Sequence, residues 1–420
     1  MVFTGGAESG AKRSMERTSE LIVSALQLMP RERRPKVLYC GNSTLAGKLV
    51  ESIDRFTGIR VAQNIRPSLD REILEPAMEE LGALTMEKIY EKVGGLQRIA
   101  ALCSVPPRLS NQAFHRVIRF LGQQCDPAKG VLGIDLGASF TVASYAGRDS
   151  SILNTFNYGL GEGIAALMDR TKIQDITRWL HEPINDEEAR DYLWQRSLYP
   201  QNIARTKEEL SLELAALRQL LRLAMYDLNT RTILPPTGFE PIIISGSALN
   251  RTVTPVQSLL TILDGIQPLG ICPLILDKHG VLPVLGAIAE FNPLLAVQVL
   301  ESTAFTNLAT VVNIDSKARY GVTVMNARLH YPDGSYLDAE VKQGSITSLP
   351  LAQGMSGEFE IRMLRRGEIE DVAITSEPVK VRGGVCGLVL DARGRSVKFS
   401  AKEDVHRARM KEWENLLGTK

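Results

Sequence analysis

Asp135, Gly137, Ala138, Ser139 and Thr141 lie in one short stretch, Ile134-Asp135-Leu136-Gly137-Ala138-Ser139-Phe140-Thr141-Val142-Ala143. The pattern reads as an apolar strand, a tight Asp-x-Gly turn and a second apolar strand. Glycine permits positive φ and close approach of the backbone to a ligand. Successive N–H groups in such a turn form an anion-binding concavity suited to phosphate oxygens. Ser139 and Thr141 add hydroxyl donors. The Asp135 carboxylate at the strand end suits Mg²⁺ held through water. The same residues also suit an ordinary β-hairpin whose Asp caps its own turn.

A second small-residue turn follows about 110 residues later, in Pro241-Ile242-Ile243-Ile244-Ser245-Gly246-Ser247-Ala248-Leu249. A buried strand here runs into Gly246, Ser247 and Ala248, a turn that lets an adenine or ribose lie against the backbone. A third glycine turn, Gly5-Gly6, precedes a helical pattern. The Walker phosphate loop requires adjacent Gly and Lys followed by Ser or Thr. Here Ala11 separates Gly10 from Lys12, and Arg13 follows, so Walker chemistry is not expected. No serine–histidine–acid spacing emerges.

The elements that must position these turns are legible in outline. Residues 1–130 alternate strands (Met1–Thr4, Lys36–Cys40, Ile59–Ala62) with helices (Ser14–Leu28, Leu45–Ile53, Asp70–Val93), which implies a mostly parallel sheet with functional loops at the strand carboxyl ends. Gly5-Gly6 and Gly41-Asn42 occupy such ends, and Ser68 is a candidate helix cap. Residues 131–300 carry the hairpin, the loop Asn157-Tyr158-Gly159-Leu160-Gly161-Glu162-Gly163, and a helix. That helix opens with a Thr206/Glu209 capping box and has an apolar stripe at Leu210, Leu214, Leu217, Leu221, Ala224 and Leu228. Pro235-Pro236-Thr237-Gly238 is expected to end it. Residues 301–400 read as short strands between turns, a small β-barrel or sandwich. Residues 401–420 hold a terminal helix with Trp413, Leu416 and Leu417 for docking.

Bulk properties bound the partners. The chain has 420 residues, 44% hydrophobic and 23% charged, and its 49 basic and 48 acidic residues nearly cancel to +1. That balance provides no electrostatic case for nucleic acid or an anionic membrane. Five scattered cysteines and five scattered histidines show no metal spacing or disulfide framework and fit a reducing cytoplasm. No apolar run of about 18 residues suggests a membrane span.

The Asp135–Thr141 pattern resembles the phosphate hairpin of the actin-like ATPase superfamily, and the later Gly246 turn falls where that superfamily has its adenosine turn. Several segments taken together resemble the glutamate mutase L family. They are Phe3-Thr4-Gly5-Gly6, Gly41-Asn42, Asn64-Ile65-Arg66-Pro67, Gly133-Ile134-Asp135-Leu136-Gly137-Ala138, Tyr158-Gly159-Leu160-Gly161, Ile244-Ser245-Gly246-Ser247 and Leu282-Pro283-Val284-Leu285-Gly286-Ala287. Gly387-Leu388-Val389-Leu390-Asp391-Ala392-Arg393-Gly394-Arg395 resembles longer members with an added β-rich domain. The resemblance implies an α/β fold of actin-like (ribonuclease H-like) domains with a C-terminal β-rich domain. It also implies ATP and Mg²⁺ as cofactors, and chaperone-like ATPase work on a cobalamin-dependent mutase. Asp135 would then be the catalytic and metal-binding residue, with Gly137, Ala138, Ser139, Thr141, Gly5, Gly6, Gly246, Ser247 and Ala248 around the nucleotide.

Two departures accompany the resemblance. Family members carry an earlier Asp-x-Gly hairpin, whereas Met1 stands just before Thr4-Gly5-Gly6. The expected remedy is a second chain or self-association that supplies the missing half and covers the sheet edge. The family hairpin also has a second Asp where Val142 stands. These departures favour, as the alternative, a non-catalytic actin-like scaffold. A small-molecule kinase is less favoured, since no acid beyond Asp135 is placed to activate a substrate hydroxyl.

Overall fold

A computed structural model describes residues 1–420 except 9, 11, 106, 127, 149, 233, 235–237, 365–366, 370–377, 398, 401 and 419–420. The expected Pro235-Pro236-Thr237 helix stop therefore lies outside the described residues. The chain divides into two compact units, Met1–Leu109 and Ser110–Lys420.

The first unit alternates β1 (Val2–Phe3), α1 (Lys12–Leu28), β2 (Val37–Tyr39), α2 (Ala46–Ile53), β3 (Ile59–Val61), α3 (Glu75–Lys92) and α4 (Leu96–Leu102). Its three strands are parallel in the order β1-β2-β3, as the alternation requires. Phe3, Met15, Leu26, Tyr39, Leu49 and Ile53 form its core. Ser68 does not cap a helix: α3 starts only at Glu75, after Leu74.

The second unit opens with α5 (Ser110–Gly122), β4 (Gly130–Leu136), β5 (Thr141–Ala146) and β6 (Ser151–Phe156). Helices α6 (Ile164–Arg170), α7 (Ile173–Thr177), α8 (Asp186–Leu198) and α9 (Lys207–Arg231) follow, then β7 (Phe239–Ser245), α10 (Pro255–Ile266), β8 (Ile271–Asp277), α11 (Leu282–Ile288) and α12 (Pro293–Leu300). Close packing dictates the glycine at 133, since a Cβ there would lie 2.5 Å from Ile118 Cδ1 of α5. That contact assigns α5 to the second unit, so the boundary falls after Leu109 and not after residue 130.

The remaining elements are β9 (Thr306–Asn313), β10 (Asp315–Ser316), β11 (Thr323–His330), β12 (Tyr336–Lys342), β13 (Ile346–Leu349), β14 (Ser356–Met363), β15 (Gly367–Glu368), β16 (Val379–Arg382), β17 (Leu388–Asp391) and α13 (Glu403–Gly418). Eight strands form one mixed sheet in the order β13-β17-β9-β8-β7-β4-β5-β6. Strands β4, β5 and β6 are an antiparallel meander, and β7 and β8 run parallel to β4. Three antiparallel strands followed by two parallel strands, reached by helical crossovers, is the order of a ribonuclease H-like, actin-type domain.

The C-terminal strands do not close a barrel of their own. Strands β9, β13 and β17 extend the main sheet, while β12-β11-β14-β16 form a separate antiparallel sheet. Apolar residues of both sheets, among them Val312, Leu329, Phe359, Leu388 and Leu390, share one core. Leu214, Leu217, Leu221, Ala224 and Leu228 of α9 are buried, as the stripe predicts. Thr206 Oγ1 accepts from Glu209 N at 3.2 Å, but the Glu209 carboxylate accepts from Arg205 N, one residue earlier than a capping box requires. In α13, Trp413 and Leu417 are buried and Leu416 is exposed. Trp413 Nε1 donates to Gly344 O at 2.9 Å.

Candidate functional site

Because β4, β7 and β8 are parallel neighbours, their carboxyl ends align: Asp135 stands opposite Ser245, and Ser245 opposite Asp277. The loops beyond parallel strand ends are the usual ligand crevice of such sheets. The Ser245 hydroxyl donates to Asp135, whereas burial pushes the Asp135 carboxyl above its ordinary 3.8 and nearby Asp277 pushes it further. Asp277 is fully buried and accepts from Val281 N at 3.0 Å and Leu282 N at 2.9 Å.

The two small-residue turns meet at this end. Gly246 has φ +155°, and a Cβ there would lie 2.9 Å from Leu136 Cβ, so the second turn lies directly against the hairpin strand. Gly246 and Ala248 are buried, and Ser247 is exposed. The second turn does not open α10 directly; a short 3₁₀ segment, Leu249–Arg251, intervenes before Pro255.

The hairpin tip is held from behind. Gly137 N donates to Phe140 O at 3.0 Å, closing the turn. Leu160 N donates to Gly137 O, and Gly163 N to Ala138 O, both at 3.0 Å. A Cβ on Gly159 would lie 2.5 Å from Ala138 O, and one on Gly163 would lie 2.5 Å from Ser139 O. The loop from 157 to 163 is therefore the bed of the hairpin. Ser139 Oγ donates to Glu162 at 2.8 Å. Thr141 corrects the sequence reading: it is fully buried and donates to Tyr158 O at 2.9 Å, so its hydroxyl braces the loop and does not face a ligand. Val142 is buried opposite Asp135.

Sequence reasoning missed three residues here. Asp277 ends an apolar strand just as Asp135 does, which was the available signal. Arg251 donates to Ser247 O at 3.2 Å and so backs the second turn. Glu213, the acid among the leucines of α9, is fully buried, with Arg196 Nε at 2.9 Å and Arg251 Nη1 at 3.7 Å. Arg196 also donates to Leu160 O at 3.3 Å, tying Glu213 to the glycine loop.

Gly5 and Gly6 belong to the first unit. Asn42 N donates to Gly5 O at 3.2 Å, and Asn64 Nδ2 to Gly6 O at 2.9 Å. Glu8 accepts from Ser43 and Asn64, which hold its carboxyl below its ordinary value. Burial, then Glu8, pushes Tyr39 up to about 12. This polar network ties the three strand ends of that unit together.

A family model described as MutL protein matches residues 1–304. The chain belongs to this family, the glutamate mutase L family. No curated protein matches the chain. Among solved structures, this family member is similar to a nucleotide-free acetone carboxylase described with ATP-dependent acetone carboxylation. Identity is 10% and the TM-score 0.31, over 77% of this chain and 60% of that one. It is also similar to the type II variant of the Aquifex aeolicus Ppx/GppA phosphatase, at 10% identity and a TM-score of 0.18, over 66% of this chain and 65% of that one. The chain thus spans less than two thirds of either. Such low scores leave the actin-type fold to be read from the strand order itself. No helix among the described residues is long and apolar enough to cross a membrane.

Proposed function

We propose that this glutamate mutase L family member binds ATP with Mg²⁺ in its second unit and acts as a chaperone-like ATPase that maintains a cobalamin-dependent mutase. The supporting observation is the half-buried Asp135 carboxylate between two glycine turns at the ends of parallel strands. A carboxylate pressed by burial and by a neighbouring Asp gains from a cation, so the residues fit Mg²⁺. When bound, Mg²⁺ neutralises charge on the β and γ oxygens. Asp135 would hold the metal through water and position the water for attack. The backbone at Gly137 and Ala138 and the Ser139 hydroxyl, released from Glu162, receive phosphate oxygens. Thr141 keeps the turn in shape. Gly246, Ser247 and Ala248 line the adenosine, with Arg251 held behind them by Glu213. The mutase partner rests on family membership.

Calorimetric titration of Mg·ATP into the full chain tests this reading, with phosphate release followed in the same sample and a cobalamin-loaded mutase added afterwards. Wild type is expected to bind saturably, and Asp135→Asn to bind about tenfold or more weakly, a loss of at least about 1.4 kcal/mol. Equal affinity in the variant overturns the assignment of Asp135. Buried Val142, where the family has a second acid, favours the second reading, a scaffold that binds nucleotide without turnover. Binding with no phosphate release, mutase present or not, selects the scaffold.

A further inference from the structure

A charge inside an apolar helix face is costly unless it is paired. Glu213 stands in α9 between Leu212 and Leu214 and has no exposed surface. Its Oε1 accepts from the Tyr192 hydroxyl at 3.1 Å and lies 2.9 Å from Arg196 Nε, both residues of α8. Its Oε2 faces Arg251 Nη1 of the 3₁₀ segment at 3.7 Å.

The two arginines lead to different turns. Arg196 Nη1 donates to Pro200 O at 3.1 Å and to Asn202 O, and its Nη2 donates to Leu160 O at 3.3 Å. Leu160 belongs to the loop whose N–H groups hold the hairpin tip at Gly137 and Ala138. Arg251 Nε donates to Ser247 O at 3.2 Å, and its Nη2 to Ser247 Oγ at 3.4 Å. One buried carboxylate thus stands between the supports of both turns.

This network is not fully closed. Glu213 Oε2, Arg251 Nη1 and Arg196 Nε are buried and make no hydrogen bond among the described residues. The 3.7 Å between Oε2 and Nη1 is too wide for a hydrogen bond and too narrow for a bridging water, which needs about 4.5 Å or more. Unmade hydrogen bonds between buried charges are expensive, and a small displacement recovers this one. Arg251 is the partner with room to move: its side chain is one quarter exposed, whereas that of Arg196 is buried.

We propose that Glu213 is a positioning residue that couples the two turns. A ligand part seated on the turn Gly246–Ala248 brings Arg251 onto Oε2, and the carboxylate, through Arg196, firms the loop under the hairpin. For the ligand's identity the inference rests on the nucleotide reading: adenosine fills one turn and phosphate the other. Each part then raises the affinity for the other, because coupled binding free energies are reciprocal.

Two measurements on the full chain test this. The first is calorimetry with adenosine and Mg·pyrophosphate as separate ligands. In wild type, saturating adenosine is expected to tighten Mg·pyrophosphate about twofold or more, the low end of measured coupling effects. Arg251→Ala and Glu213→Gln should each remove that gain, and Arg251→Lys, which keeps the charge, should restore part of it. Binding of both ligands without mutual gain, or a gain that survives Glu213→Gln, overturns the proposal.

The second is amide hydrogen exchange without ligand, which reads local opening. No hydrogen bond or ion pair joins Arg251 to the glycine loop among the described residues. Arg251→Ala is nevertheless expected to shift exchange at the Leu160 and Gly163 amides about twofold or more, and to shift nothing there once Glu213→Gln is present. Where Glu213→Gln fails to fold, Arg196→Lys breaks the same link at its other end. Unchanged exchange at Leu160 and Gly163, or a shift that persists without the link and so runs through the hairpin strand, overturns the proposal. A wild type that binds neither ligand nor Mg·ATP refutes the nucleotide reading, and exchange then decides the link between the turns by itself.

Discussion

At the scale of single residues, the candidate site rests on buried side chains packed behind it. Tyr158 is buried and stacks on Phe156 with ring centroids 5.2 Å apart, while its backbone oxygen receives the Thr141 hydroxyl. Its own hydroxyl donates to Asp227 at 3.2 Å, and Arg170 forks onto the same carboxylate at 2.5 and 2.7 Å. The Arg170 hydrogen bonds, outweighing burial, hold the Asp227 carboxyl below its ordinary 3.8. A depressed acid stabilises the fold above the unfolded value and loses that contribution as pH falls through it to the folded one. Arg170→Gln should therefore cost about 1 kcal/mol near neutral pH, a modest figure because Arg170 is partly exposed. The gap to wild type should close as pH drops below 3.8. Urea unfolding at several pH values measures both, and a gap that stays constant into acid removes the ion pair as its cause.

At the scale of elements, the hairpin and its bed are a single device. The loop from 157 to 163 presses its backbone against the turn Gly137–Phe140, and Glu162 accepts from Ser139 there. The glycine pattern of that loop is visible in the chain, but its reason is not, because the atoms that forbid a side chain include Ala138 O at Gly159 and Ser139 O at Gly163, each more than twenty positions earlier. A Cβ on Gly163 would lie 2.3 Å from Gly159 N and 2.5 Å from Ser139 O, both backbone atoms that yield poorly. Gly163→Ala should destabilise the second unit by about 1–3 kcal/mol, the usual cost of overpacking. It should weaken nucleotide binding further than that loss of fold explains. A denaturant melt paired with Mg·ATP titration separates the two, and a variant as stable as wild type would show that the loop does not brace the hairpin.

At the scale of the whole molecule, the β-rich end is part of the second unit's architecture. Strand β9 pairs with β8, and β17 pairs with β9, so the main sheet continues past the residue-304 limit of the family match. A buried ion network fastens the join. Arg393 reaches Asp391 at 2.9 Å and Asp264 of α10 at 2.8 Å, and Arg218 of α9 takes the other oxygen of Asp264. Burial alone would raise the Asp391 carboxyl, but Arg393 and Arg395 outweigh it and hold it well below the usual carboxylate range. A chain ending at residue 304 should expose the β8 edge and the apolar faces of α9 and α10 and aggregate. Soluble yield and size-exclusion elution measure this, and a monodisperse truncated protein would make the β-rich end an appendage.

The amino-acid order by itself determined the local chemistry of this protein. Asp135 and Gly137 mark a strand end and its turn, and a Cβ on Gly137 would lie 2.7 Å from Phe140 O. The stripe from Leu214 to Leu228 marks a core-facing helix, and alternating apolar segments mark a parallel sheet in the first unit. The residues that carry the family resemblance were likewise on the surface of the text. Tertiary structure decided which of those residues share a place. It brought Asp277 level with Asp135, one strand removed across Ser245, because parallel strands align their ends regardless of the distance along the chain. It buried the Thr141 hydroxyl on Tyr158 O, behind the hairpin turn. It also carried β9, β13 and β17 across into the main sheet, because a strand's partner is chosen by the apolar face it must cover, and period-2 patterning does not name that face.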